Sequence, residues 1–241
     1  MAPPIKYLKN IIIGGDSSAY QREVARYLDL IRTTEIGRAL VKHINFRATQ
    51  MTIVPFKPTA SNPVNASANP ANPADAMPEG YQGAGTGSGS AVTVEYHPAT
   101  FRQLNQNMGR IAPGGGPGEA LFHEMVHGYR QQRGQALNID KFGTEPAEEF
   151  YAVLASNVYR SERGFTRFRA AWSSRFAPLA DSLSDSELYY DEFKGPIDQW
   201  FVSDRGFCLD AANANARFNP FRAAAVAVGL LKSPGVSMRL P

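Results

Sequence analysis

Leu121-Phe122-His123-Glu124-Met125-Val126-His127-Gly128 is the stretch whose reading decides the fold. It carries two histidines four positions apart, with a glutamate directly after the first. On an α-helix, residues i and i+4 lie one turn apart on the same face, so both imidazoles can reach one metal ion. Glu124 sits beside the first imidazole and can hold a water there without occupying the metal itself. Zinc lowers the pKa of such a water, the carboxylate takes the proton, and the hydroxide attacks a polarised carbonyl. Ala120, Leu121 and Val126 make this helix partly buried, and buried imidazoles and carboxylates need partners. A zinc ion supplies them, which a chance match on a solvated helix would not require.

A catalytic zinc takes three protein ligands and leaves a fourth position open. His43 and His97 lie upstream, and the extended form of the motif with a third histidine is absent because Arg133 stands at that place. The nearest acidic cluster is Glu145-Pro146-Ala147-Glu148-Glu149-Phe150, followed by Val153 and Leu154 at helical spacing. This pattern predicts a helix over 145–163 that returns a glutamate to the two histidines. Glu148 and Glu149 are adjacent, so their side chains diverge by ~100° and cannot both reach one ion. Glu149 shares its face with Val153 and favours the inward side, with Glu148 and then Glu145 as alternatives. Whichever of Glu145 and Glu148 is not a ligand could orient a histidine from behind. An oxyanion forming beside the metal needs a hydrogen-bond donor, for which Tyr151, Tyr189 and Tyr190 are the candidates.

Outward from the motif, the N-terminal third reads as structured. Ser18-x-x-Gln21 is a capping box, and Val24, Leu28 and Ile31 line one face of the helix that follows. A second helix runs over 35–44 with Ile36, Leu40 and Val41 inward. Residues 50–56 and 91–96 alternate as strands. Between them, 57–90 holds three Asn-Pro pairs and a Gly/Ser-rich tail with few large apolar residues, which predicts a flexible surface insertion. Residues 98–111 read as a linking segment. The glycine-rich turn at 113–118 lacks the Gly-Lys-Ser/Thr of a phosphate loop. Further helices are predicted over 118–133, over 165–177, from Ser184-x-x-Glu187, and over 220–231. Phe165, Phe168, Trp172 and Phe176 would form one buried stripe of the 165–177 helix, leaving Arg160, Arg163, Arg167, Arg169 and Arg175 as a basic outer face rather than a nucleic-acid surface.

The 241 residues are 43% hydrophobic and 20% charged, an ordinary globular balance. The longest apolar runs, 11–13 and 223–231, fall far short of the ~20 residues a bilayer span needs. The N-terminal region offers no apolar run of the ~7–15 residues that a Sec signal uses. A single cysteine, Cys208, excludes an intrachain disulfide and a Cys-rich zinc finger, and reads as an inert buried thiol. A formal charge of +3 is too small an excess to argue for nucleic acid.

His-Glu-x-x-His followed downstream by Glu148-Glu149-Phe150-Tyr151-Ala152-Val153 resembles the zinc proteases of the NleD-type bacterial effectors. More distantly, it is similar to clostridial neurotoxin light chains. The upstream order resembles theirs too: a helix with Ile36-Gly37-Arg38-Ala39-Leu40, a strand at 51–56, a loop, and a strand at 92–96 ending in Tyr96-His97-Pro98. The resemblance covers about 20–160. It implies one Zn2+ per chain held by His123, His127 and the second glutamate of the pair, Glu149, with Glu124 as general base. It also implies a single α+β, zincin-like domain over 1–241: a small twisted sheet packed on the motif helix, then a mostly helical C-terminal half. An edge strand of that sheet would pair with extended substrate. The expected activity is hydrolysis of a protein in a host or competitor cell, after delivery by a specialised secretion system. A secretion chaperone or an immunity protein would be further partners; neither nucleic acid nor a membrane span is expected. Two other classes stand beside this one. One is a non-enzymatic basic nucleic-acid- or protein-binding domain with a structural zinc, which would need four protein ligands. The other is a zinc hydrolase acting on a cell-wall bond.

Overall fold

The apolar triplet Ile11–Ile13 forms the second strand of an N-terminal hairpin, β1 (Ile5–Leu8) and β2 (Ile11–Ile13), with an irregularity between Lys6 and Leu8. The computed structural model describes residues 2–15, 17–59, 66–107, 114–137, 141–142, 145–170 and 178–232. After the hairpin come α1 (Ser18–Ile31), α2 (Glu35–Asn45), β3 (Met51–Val54), β4 (Ser67–Pro70), the single turn α3 (Pro73–Ala76) and β5 (Val92–Glu95). Then follow α4 (Pro98–Asn107), α5 (Pro117–Gln132), β6 (Lys141–Phe142), β7 (Glu145–Pro146) and α6 (Ala147–Glu162). The chain continues with α7 (Ser186–Glu192), α8 (Lys194–Ser203), α9 (Arg205–Ala212) and α10 (Pro220–Ala227).

This is an α+β fold. The main sheet has the order β1-β2-β3-β5-β4, parallel at its centre (β2 with β3, β3 with β5) and antiparallel at both edges. Ile11, Ile13, Met51, Ile53, Val92 and Val94 are buried beneath the helices. The motif helix α5 lies on this sheet and touches α1, α2, α4 and α6. Gly128 permits the close approach: a Cβ there would meet Met51 Cε at 2.7 Å and Val92 Cγ1 at 3.2 Å. The start of the helix is tied down by Tyr96, whose hydroxyl donates to the Pro117 carbonyl at 2.8 Å.

The segment read as a loop at 57–90 contributes β4, which pairs antiparallel with β5 from Ser67↔Glu95 to Pro70↔Val92. Composition misses this strand because main-chain hydrogen bonds, not apolar side chains, hold it. Gln131 of α5 donates to the Ala68 carbonyl at 2.9 Å, and Ala136 N–H donates to the Ala76 carbonyl at 2.9 Å, burying Ala76 and Met77. Pro70 is tolerated because the strand is an edge, and it removes one N–H that an added strand would need. Residues 60–65 lie outside the described residues.

Other sequence expectations are corrected. The helix expected over 165–177 is absent from its described part: residues 165–170 are non-helical, with an isolated bridge from Arg169 to Pro178, and 171–177 lie outside the described residues. Gly164, at φ +80°, ends the helical run. The buried Asn157 then takes over the backbone of Arg169, accepting from its N–H at 2.8 Å and donating to its carbonyl at 2.9 Å. Residues 98–107, read as a link, form α4. Caps shift by one residue: Ser17 caps α1, with Gln21 donating to the Pro3 carbonyl, and Asp185 caps α7. The last helix stops at Ala227 rather than residue 231. Helix α6 begins at Ala147, so Glu145 lies in β7 and does not share a helical face with Glu149.

Candidate metal centre

α5 and α6 run antiparallel, and each carries a glutamate in its first turn and an arginine in its last. That placement suits both helix dipoles, since acids favour N-termini and cations favour C-termini. It also makes two reciprocal buried clamps. Arg160 Nη1 lies 2.8 Å from Glu119 Oε2 at one end, and Arg130 Nε lies 2.9 Å from Glu148 Oε1 at the other. Phe122 and Tyr159 stack between the helices with centroids 4.6 Å apart.

Between the clamps, His123, His127 and Glu149 converge. His123 Nε2 lies 3.2 Å from Glu149 Oε2 and 3.1 Å from His127 Nε2, which in turn lies 3.4 Å from Glu149 Oε1. One ligand atom from each residue lies within 4.8 Å of the other two. Behind the rings, Ser156 Oγ is 3.5 Å from His123 Nδ1, and Glu148 Oε1 is 3.6 Å from His127 Nδ1. The Nε2 atoms therefore face a common point while the Nδ1 atoms face protein, the arrangement in which an imidazole offers one nitrogen to a metal.

The protonation pattern of the metal-free protein follows from burial and proximity. Burial pushes His123 down to about 4. Burial also works to lower His127, but the charge of Glu149 and the contacts with Glu148 and Glu149 hold it well above the usual imidazole value. Burial opposes ionisation of Glu149 as well, yet the neighbouring His127 charge and both imidazole contacts keep it well below the carboxylate range. Arg169, buried beside this cluster, lowers both His123 and Glu124 through its charge.

Burial pushes the Glu124 carboxyl from its ordinary 4.5 up to about 7. A carboxyl with a raised folded pKa holds its proton more tightly folded than unfolded. Its contribution to the stability of the metal-free protein therefore falls as pH climbs from about 4.5 to about 7, and the loss persists above. Glu124→Gln removes this titration. With chelator present, its melting temperature should exceed that of the parent at pH 8 and converge on it towards pH 4.5. A constant gap across that range would show that Glu124 does not titrate in this way.

The structure brings His123, His127, Glu149 and Glu148 together, with Glu124 between the two histidines on α5. It engages the three tyrosines elsewhere. The Tyr151 hydroxyl donates to Gln199 at 3.3 Å and its ring lies under Arg130; Tyr189 packs among Phe150, Phe193 and Phe218. The Tyr190 hydroxyl donates to Asp198 at 2.9 Å and accepts from Lys194. Sequence reasoning missed Ser156 and Arg130. Both were within reach of it: Ser156 lies seven residues after Glu149 and Arg130 three after His127, the spacings of a shared helical face.

A family model described as Effector protein, Peptidase M91, matches residues 9–164, more than half of the chain. The chain belongs to the Peptidase M91 effector family. The matched region runs from β2 through α6 and so contains the whole histidine–glutamate cluster, while the helices from α7 onward lie beyond it. No curated protein and no solved structure gives a significant match. The cluster fits what a peptidase metal centre needs: two imidazole nitrogens and one carboxylate, converging and partly shielded from water, with both rings backed by side chains. Among the described residues, no helix is long and apolar enough to cross a membrane.

Proposed function

We propose that this effector-family peptidase is a zinc-dependent endopeptidase of the NleD type, acting on a protein of the cell into which it is delivered. The observation that carries the reading is the convergence of His123, His127 and Glu149, with Glu124 directly after the first ligand, in a chain of a peptidase family. His123, His127 and Glu149 would hold one zinc ion, which supplies a Lewis acid for the scissile carbonyl and for water. Glu124 then acts as general base: its carboxylate takes a proton from the attacking water and returns it to the leaving amine nitrogen. Glu148 orients His127 from behind. The protein works as a single zincin-like unit, since one hydrophobic core joins Ile11 of the sheet to Ala225 of α10. Delivery through a specialised secretion system belongs to the same reading.

A structural zinc is disfavoured because a closed site needs four protein ligands, and this cluster among the described residues offers three. The test uses purified protein, zinc-loaded and chelator-treated, added to eukaryotic and bacterial lysates. New protein N-termini are then labelled and counted. Cleavage by the loaded protein alone, with one zinc per chain, is the expected result. A loaded protein that generates no new termini in either lysate, or binds no zinc, overturns the reading.

A further inference from the structure

Arg130 is a buried cation at the C-terminal end of α5, three residues beyond His127, with 2% of its surface exposed. Its Nε–H lies 2.9 Å from Glu148 Oε1 and 3.1 Å from Oε2, and its Nη2 donates to the Gln135 carbonyl at 2.7 Å. The guanidinium lies 3.8 Å from the Tyr151 ring centroid and 5.3 Å from that of Trp200. A planar group held on its edge by a carboxylate and on its face by aromatic rings has little freedom. Glu148 is held as firmly from a third direction: the Leu137 N–H donates to its Oε2 at 3.1 Å. The Oε1 that Arg130 holds also faces His127 Nδ1 at 3.6 Å.

We propose that Arg130 is a positioning residue for the metal: it fixes the Glu148 carboxylate, which fixes His127, and so joins the ring to the turn at 134–137. The inference rests on the reading of His123, His127 and Glu149 as ligands. Its physical content is the asymmetry of the two rings. His123 is backed by a neutral hydroxyl that can rotate, whereas His127 is backed by a carboxylate locked by an arginine and a backbone N–H. A ring held in place before the ion arrives does not have to be ordered when it binds, so the ion is held more tightly and released more slowly. The Glu119–Arg160 clamp at the opposite end of the same helices supplies an internal control. It has the same chemistry and burial, but its carboxylate bonds the Gly114 N–H rather than a histidine.

The experiment measures zinc affinity by competition with a chromophoric chelator, and the visible absorption of the cobalt-substituted protein. Parent, Glu148→Gln, Arg130→Lys, Arg130→Met, the double variant Arg130→Met/Glu148→Gln and Glu119→Gln are compared. Glu148→Gln and Arg130→Met should each weaken zinc about 10–100-fold and alter the cobalt spectrum. Arg130→Lys should follow them, since an ammonium cannot reproduce the edge-on contact. The double variant should be no weaker than the worse single one, because both break one chain of contacts. Glu119→Gln should lower the melting temperature and leave zinc affinity within about threefold of the parent. The proposal is overturned by parent-like zinc affinity in folded Glu148→Gln and Arg130→Lys, by additive losses in the double variant, or by an equal loss in Glu119→Gln. Should Arg130→Met not fold, the two size-conserving variants decide. Parent-like zinc retention in Glu149→Ala would instead remove the ligand assignment, a failure distinct from that of Arg130.

Discussion

Glu124→Gln should keep one zinc per chain and lose hydrolysis. The substitution keeps the shape of the side chain and leaves His123, His127 and Glu149 intact, so metal content after purification should match that of the parent. What disappears is the group that takes a proton from the attacking water. General-base catalysis contributes about 10²–10⁴-fold, and kcat on the natural substrate should fall by at least that much with little change in KM. The decisive comparison pairs metal analysis with turnover. Parent-like turnover by a zinc-loaded Glu124→Gln would place the base elsewhere. Loss of zinc along with turnover would show that Glu124 supports the metal rather than the proton transfer.

Glu149→Ala should lose both. Removing this carboxylate takes away one of three convergent donors, the one that touches both Nε2 atoms. Helical geometry separates it from its neighbour: Glu148 points to Arg130, Leu137 and the back of His127, whereas Glu149 alone of the pair reaches both Nε2 atoms. After dialysis against a chelator, zinc content should therefore fall in the order parent, Glu148→Ala, Glu149→Ala. Glu145→Ala should stay close to the parent. A Glu149→Ala protein that holds zinc while Glu148→Ala does not would reverse the roles assigned to the two glutamates.

Helical periodicity made much of this site legible. The four-residue spacing of His123 and His127 put both rings on one face before any tertiary contact was known, and the acidic cluster ahead of Val153 and Leu154 announced the returning helix. Strands at 51–54 and 92–95 showed in their alternation. Edge strand β4 did not, because Ser-Ala-Asn-Pro has no alternating apolar signal and is held through its backbone by β5 and Gln131. The misread helix after Gly164 has a related cause. Its aromatic spacing matched a helical stripe, but over 165–170 the side chain of Asn157, on the preceding helix α6, captures the Arg169 backbone instead.

By itself, then, the sequence determined what is periodic and local: an α+β chain, a helix presenting two imidazoles, and a second helix starting with paired glutamates. Only the tertiary structure decided which glutamate reaches both rings, that Ser156 and Glu148 stand behind them, and that Arg130 and Glu119 belong to opposing clamps. The physical reason is one of range. A helical face follows from 3.6 residues per turn and can be read along the chain. The partner of a buried charge is set by how two helices pack against each other, and that depends on the sheet, the close approach at Gly128 and the core beneath them.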